Sequence, residues 1–464
     1  MRRTLLIIFI FFIVLKTYGM NLDDVLLPAL QEDIDVLKNE NDKKVNQWEL
    51  FEAKKAAFPS VSLEFENQTF DDTNVAFTAT PQFKQTPELK LNLFAPIYTD
   101  GSLSQNIIYK RKQGELLKLS LELTKEQLKH DIIQQYLDVL AKSRKFDISK
   151  EILNNAEALL NIYENVFELG KITKLELLNA RKEAAKIKYE KELARLDYLK
   201  AYNSLMRLSQ LDDSRISDLE DINVDMNYNE ELEKITEEAL KNRLELKVYR
   251  LDAEVKKMEK NLTEPKETLG VNLEYSRGGV QRGDKNRTFP LDNKEYKYSL
   301  LFSKPLNWHK ISYQRDYESI GWVKAGQNLF EDTVLATDRI TFDLFDNGVE
   351  KSTIARKKAD YEYSRLSIRD FKKNMMLNIE DAYNSLMTAR ETIKIQQQNV
   401  AYYEEKIEIE NNQYKLGQFS MADLLESIVE SLTEKKKYIE AFFDYKKSYI
   451  MLKYLSGELS NEKL

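Results

Sequence analysis

The side chains able to do chemistry are few in kind. His occurs only at His130 and His309 and the chain has no Cys, so a His-based catalytic site, a zinc site or a thiolate centre has almost nothing to be built from. No phosphate loop is present, and no nucleophile stands in a motif that pairs it with a base. No catalytic residue, cofactor or metal is expected. What remains is carboxylate chemistry. Asp423 and Glu426 are three residues apart, so in a helix they share one face. Such a pair can hold a cation, or it can be an ordinary acidic helix start, favourable beside the positive N-terminus. The matching earlier positions are Glu176 and Asn179, so only the later stretch carries both acids.

Both stretches follow a Leu-Gly break between long helix-patterned runs, LGKITKLELLN from Leu169 and LGQFSMADLLE from Leu416. Gly tolerates the positive φ that ends a helix, so each break reads as the tip of a helical hairpin. One register surrounds both tips. Gly101 and Gly348, Tyr136 and Tyr383, Leu169-Gly170 and Leu416-Gly417, Tyr202 and Tyr449, and Leu208-Ser209 and Leu455-Ser456 are each 247 residues apart. The second half therefore repeats the first with no insertion in the helical part.

A chain of 464 residues that is 32% charged, with only 13 Gly and 8 Pro, favours very long helices over a compact multi-domain enzyme. Residues 1–19 read as a secretory signal, with Arg2 and Arg3, an apolar run from Leu5 to Leu15 and Gly19. The alternative is an uncleaved anchor. No later stretch approaches the roughly 20 apolar residues of a transmembrane helix. Removing the signal takes Arg2, Arg3 and Lys16 from 70 basic residues and none from 77 acids, leaving a net charge of about −10. That argues against nucleic acid as a partner.

The expected organisation is a first repeat over residues 20–228, with its tip at 169–171, and a second over 229–464, with its tip at 416–418. Each opens with a helix, Asn21 to Phe58 and Glu230 to about Asn261. After Pro59, PSVSLEFE places Val61, Leu63 and Phe65 on one face, and PELKLNLFAPIY places Leu89, Leu91, Leu93, Ala95 and Ile97 on one face. Such strands can be half-buried in a soluble sheet or can face lipid on one side and a lumen on the other. Two strands cannot close a barrel in lipid, so on the second reading several chains contribute.

From Gly101 onward nearly 70 residues lack Pro, enough for a helix of roughly 100 Å. Two apolar stripes run along it: Leu117, Leu121, Leu128, Ile132 and Tyr136, and Leu119, Leu123, Ile133, Leu137 and Leu140. A two-stranded coil needs one seam; two seams suit a helix packed between neighbours in a wall of helices.

Pro265 matches Pro59 at an offset of 206, so about 41 extra residues lie between 266 and 347. They fall where the first repeat connects its two strands. Either they add a hairpin, giving this repeat four strands, or Lys310 to Glu331 is helical and 296–304 is the second strand; the extra hairpin or an extended surface loop is preferred. The strand before Gly348 is read as TVLATDRITFDLFDN, with Val334, Ala336, Ile340, Phe342 and Leu344 on one face. Polar residues 277–294 look like a solvated outer loop.

These features together resemble the TolC family of outer-membrane efflux proteins, over essentially the whole chain after residue 19. The resemblance is carried by the repeated order helix, strand, strand, helix, helix; by the Pro-led segments FPSVSL and EPKETLGV; by YTDG and FDNG ahead of the long helices; and by the LG tips followed by LELLNA and ADLLES. It implies a mainly α fold with a small β part: a homotrimer whose strands form one shared membrane β-barrel and whose helical hairpins form a coiled-coil tunnel through the periplasm. The tunnel would be closed at its tips until a periplasmic adaptor protein and an inner-membrane pump engage it. It implies a passive exit duct in the outer membrane, for a tripartite efflux pump or type I secretion system, in contact with outer-membrane lipid.

The family's gating acids match Asp423 and Glu426, and threefold symmetry would set six carboxylates around the pore. The family often has Arg four residues before the tip Gly, where this sequence has Val166 and Gln413. Adaptor contacts would then rest on Leu169, Gly170, Lys171, Leu416, Gly417 and Gln418. The competing functions are a structural coiled-coil protein, which calls for one seam and no amphipathic strands, and a periplasmic adaptor, whose β domains bury both strand faces.

Overall fold

The computed structural model describes residues 20–71, 83–211, 219–264, 266–278, 293–306, 309–323, 330–343 and 348–459. The expected signal at 1–19, residues 212–218 near the end of the first repeat, Pro265, residues 279–292 of the expected outer loop and Leu344 lie outside them. Among the described residues no helix is long and apolar enough to cross a membrane.

The chain forms α1 (Leu22–Glu32), α2 (Ile34–Lys55), β1 (Ser60–Asp71), β2 (Phe83–Tyr98), α3 (Ser102–Glu168) and α4 (Lys174–Ser209), then α5 (Leu232–Asn242), α6 (Leu244–Thr263), β3 (Thr268–Gly278), β4 (Asn293–Leu306), β5 (His309–Val323), β6 (Phe330–Asp343), α7 (Gly348–Lys415) and α8 (Met421–Ser456). The two-repeat order is plain in this series. Among the described residues the second half carries four strands, and His309–Val323 is β5 rather than a helix.

Each repeat opens with two helices where the sequence reads as one. The break falls at Asp33, which is extended; its carboxylate accepts from Asp35 N–H at 2.9 Å and Val36 N–H at 3.0 Å. Asp33 thus caps α2 and competes with helical continuation. The second break falls at Arg243, buried at 6% exposure. Its guanidinium meets Glu245 at 2.9 and 3.1 Å and donates to the Leu455 carbonyl at 3.1 Å.

The chain divides into two compact units. One comprises Met1–Glu40, Leu119–Lys247 and Asp370–Leu464. Its core takes Ile132, Ile133, Tyr136, Leu137 and Leu140 of α3, Leu205 of α4, Ile235 of α5, Ile379 and Leu386 of α7, and Tyr445 and Ile450 of α8. Residues of both α3 stripes are buried there, as a helix with neighbours on two sides requires. The segment leading out of repeat 1 is pinned to this core by polar groups. Tyr136 donates to the carbonyl of Met20 at 2.9 Å and of Glu220 at 2.7 Å, and Lys446 reaches Asp221 and the Ile222 carbonyl, both at 2.7 Å.

The other unit comprises Asn41–Lys118 and Val248–Arg369. Its sheet is antiparallel throughout, in the order β1-β2-β3-β4-β5-β6. Strict alternation separates its faces. One cross-strand line is Val61, Leu93, Leu273, Tyr298, Tyr317 and Ala336; the next is Ser60, Phe94, Asn272, Ser299, Asp316 and Thr337. The apolar face is open: Val61, Leu63 and Phe65 are 63–70% exposed. Asp338 interrupts this face between Ala336 and Ile340. It accepts from the Tyr313 hydroxyl at 2.7 Å and lies 3.6 Å from Nε of Arg315. Gly270 is needed where it stands, because a Cβ there would lie 2.9 Å from the Phe94 ring.

Candidate functional site: the hairpin tips

Both tips close in the same way. At the first, Gly170 has φ +68°, its N–H reaches Phe167 O at 2.8 Å, and Lys171 N–H reaches Val166 O at 3.1 Å. At the second, Gly417 has φ +73°, with Gly417 N–H on Tyr414 O and Gln418 N–H on Gln413 O, both at 2.9 Å. This double bonding with a left-handed Gly satisfies carbonyls that a helix end leaves open. Val166 and Gln413 thereby serve the turn through their backbones. Leu169 and Leu416 project into solvent at 68% and 73% exposure, and Gly170, Lys171, Gly417 and Gln418 are exposed beside them.

The returning helices start on matched caps. Thr173 caps α4: its hydroxyl accepts from Glu176 N–H at 3.2 Å, while its own N–H donates to the Glu176 carboxylate at 2.6 Å. Those bonds from Thr173 hold the Glu176 carboxyl below its ordinary range. Ser420 caps α8, its hydroxyl accepting from Asp423 N–H at 3.1 Å and donating to Oδ2 of Asp423 at 2.7 Å. Asp423 is therefore the structural equivalent of Glu176, and part of its carboxylate is engaged by the cap.

Glu426 stands one turn further along α8, exposed, at the wall of a cavity of about 380 Å³. The cavity brings together Leu160 and Tyr163 of α3, Glu176 and Asn179 of α4, and Glu426 and Val429 of α8. Glu176 after the first tip and Glu426 after the second thus line one cavity. Tyr163 registers them: burial pushes its phenol up, and Glu426, Asp423 and Glu176 push it further. Its negative surroundings favour a cation over an anion.

Ion pairs tie each hairpin just behind its tip. Arg181 of α4 grips Glu164 of α3 through Nη at 2.8 Å and Nε at 3.1 Å. Lys406 of α7 reaches Glu430 of α8 at 3.0 Å, and Lys435 reaches Glu404 at 3.0 Å. Sequence reasoning did not single out these residues or Tyr163. A signal existed for the pairs, since residues about equally far from a tip face each other across it: Lys406 and Glu430 are each twelve residues from Gln418. Among the described residues no group of three His, Asp or Glu is placed to hold a metal ion.

The family model described as outer membrane efflux protein matches residues 28–209 and 312–458. The fold is similar to the CmeC outer membrane channel of Campylobacter jejuni (14% identity, TM-score 0.70, covering 95% of this chain and 86% of that one). It is similar as well to VceC of Vibrio cholerae (14% identity, TM-score 0.68, 94% and 96%) and to the open state of MtrE of Neisseria gonorrhoeae (10% identity, TM-score 0.68, 94% and 89%). No curated protein matches significantly. The chain belongs to the outer membrane efflux protein family. It is an outer-membrane channel that extends into the periplasm and serves as an exit duct in efflux.

Proposed function

We propose that three copies of the chain assemble into one duct, that a periplasmic adaptor and an inner-membrane pump engage its tips, and that Asp423 and Glu426 gate it. The pump supplies the driving force, and this chain contributes a passive path without catalysis. The observation that carries the reading is the placement of Glu426 and Asp423 on one face just behind an exposed, apolar-tipped turn. Copies repeated around an axis would concentrate those acids where the tips converge, a ring that attracts cations. Trp48 and Phe51 of α2, 69% and 57% exposed, and the open apolar face of β1 support an assembly, since apolar surface of this extent is normally covered by protein or lipid. The adaptor contacts fall on Leu169, Gly170, Lys171, Leu416, Gly417 and Gln418.

The test is single-channel conductance of the purified assembly in a planar bilayer. The wild type should carry cation-selective current blocked by divalent cations. Glu426→Gln should weaken selectivity and block more than Asp423→Asn, because the Asp423 carboxylate is already engaged by Ser420. Current unchanged in both variants would retain the duct and discard the acidic ring; failure to insert or conduct would overturn the duct.

A further inference from the structure

The sheet is open. β1 pairs only with β2 and β6 only with β5, so a 12-residue and a 14-residue edge each lack a partner on one side among the described residues. In lipid such edges must be satisfied. We infer that they satisfy each other between copies of this chain, through an antiparallel contact of β6 with β1 of the next copy in which Arg339 stands opposite Glu64. On the trimer proposed above, on which this inference rests, the barrel then has eighteen strands. One hairpin per repeat would give twelve.

Direction and parity come first. An even number of strands separates the two edges, so β1 and β6 run oppositely and meet as an antiparallel pair around a rotation axis. Apolar positions are odd-numbered in β1 (Val61, Leu63, Phe65) and even-numbered in β6 (Ala336, Ile340, Phe342). Keeping one continuous apolar face allows only registers that differ by two residues.

Strand tilt narrows these further. The line Ser60, Phe94, Asn272, Ser299, Asp316, Thr337 crosses the sheet at right angles to its strands. With Arg339 opposite Glu64, Thr337 meets Glu66 of the next copy, six residues along β1 from the start of the line. A shift of six residues over six strands, at about 3.3 Å per residue and 4.8 Å per strand, tilts the strands by about 35°. Shifts of four or eight residues give about 25° or 42°. Barrels tilt by roughly 35–45°, which excludes the first.

Charge separates the remaining two. Glu64 is exposed and makes no ion pair with another described residue. Opposite it, Arg339 is exposed on the same polar face. The pairing also sets Ile340 against Leu63, Phe342 against Val61 and Thr341 against Ser62. The eight-residue shift would set Arg339 against Glu66, which already holds Lys90 at 2.8 Å, and would leave Glu64 facing Thr341. Opposite charges directly across a strand pair are favourable, so the six-residue shift is preferred. An eighteen-stranded barrel at this tilt is about 33 Å across between backbones, against about 22 Å for twelve strands. The extra hairpin widens the exit about 1.5-fold.

Because the chain has no Cys, disulfide trapping in the full-length protein tests the register directly. Glu64→Cys/Arg339→Cys should oxidise to covalent ladders ending at a trimer on a denaturing gel, and Leu63→Cys/Ile340→Cys should do the same without touching the charges. Glu66→Cys/Arg339→Cys and Ser62→Cys/Arg339→Cys should cross-link at least tenfold less. Preference for either of those pairs overturns the register. No cross-link in any pair, with native mass still trimeric, overturns edge closure while leaving the trimer. A monomeric native mass removes both.

Discussion

Gly417 at the second tip and Gly457 at the end of α8 share a backbone conformation, φ +73° and +76°, but not surroundings. Ala in this left-handed region costs about 1–2 kcal/mol, offset by about 0.4–1 kcal/mol because the unfolded chain is also restricted. At Gly417 nothing lies within 4 Å of an added Cβ, so that small difference is the whole effect. At Gly457 the Cβ would lie 3.0 Å from Arg243 N, 3.1 Å from Arg243 Cα and 3.1 Å from Asn242 C. These are backbone atoms at the α5–α6 break and cannot rotate away. Forcing atoms into a filled site adds about 1–3 kcal/mol. Gly457→Ala should therefore exceed Gly417→Ala by about 1–3 kcal/mol, which is about 5- to 150-fold in local opening. Hydrogen exchange on the purified protein reads this locally: Gly457→Ala should speed exchange across 239–247 and 450–459, and Gly417→Ala should leave those segments unchanged and affect only the tip. Equal acceleration at the α5–α6 break in both variants, or none in Gly457→Ala, would refute the argument that backbone contact at Arg243 decides the difference.

Two further outcomes follow from polar groups of α8. Lys446 is 3% exposed, and Lys446→Met keeps its stem but leaves the Ile222 carbonyl unpaired. The cost should be about 1–3 kcal/mol, read as several-fold faster proteolysis within 219–231; an unchanged rate would show that the linker is held otherwise. Asp444 is exposed, but partial desolvation against its neighbours pushes its carboxyl up, with Glu440 and Asp138 adding to the shift and Lys447 and Lys145 opposing it. A folded-state value above the unfolded one means that its ionisation opposes folding as pH rises. Asp444→Asn should slightly raise the unfolding temperature at pH 7, and the gain should shrink as the pH falls and the wild-type carboxyl protonates. A gain independent of pH would place its origin elsewhere.

The helical hairpins were legible because two signals agree, a constant offset of 247 residues and a Gly at each tip whose φ is indeed positive. The breaks at Asp33 and Arg243 were not read, for different reasons. Asp33 carries a local signal, an Asp two and three residues before the amides that it caps. At Arg243 the nearby partner Glu245 marks no break, and the Leu455 carbonyl that its guanidinium also reaches lies more than 200 residues away, where only the fold brings it. At the tips, Asp423 and Glu426 stood out by spacing. Tyr163 could not, because its role depends on α3, α4 and α8 meeting, and one Tyr among 25 has no distinguishing neighbour in sequence.

The extra length inside the second repeat also has a physical logic. A single added strand would reverse the chain and bring Gly348 to the wrong end of the sheet, so that α7 could not follow in the register that α3 has in the first repeat. Strands must therefore be added in pairs. Two antiparallel strands of the length of β4 and β5, 14 and 15 residues, account for 29 of the about 41 extra residues, and they return the chain to the end from which it started. The helices keep their spacing because a hairpin inserted into a sheet changes its width and not the direction of exit. In a barrel closed by identical copies, width is perimeter. On the edge closure inferred above, such an insertion widens the barrel and leaves the helices after Gly348 at their 247-residue offset from the first repeat.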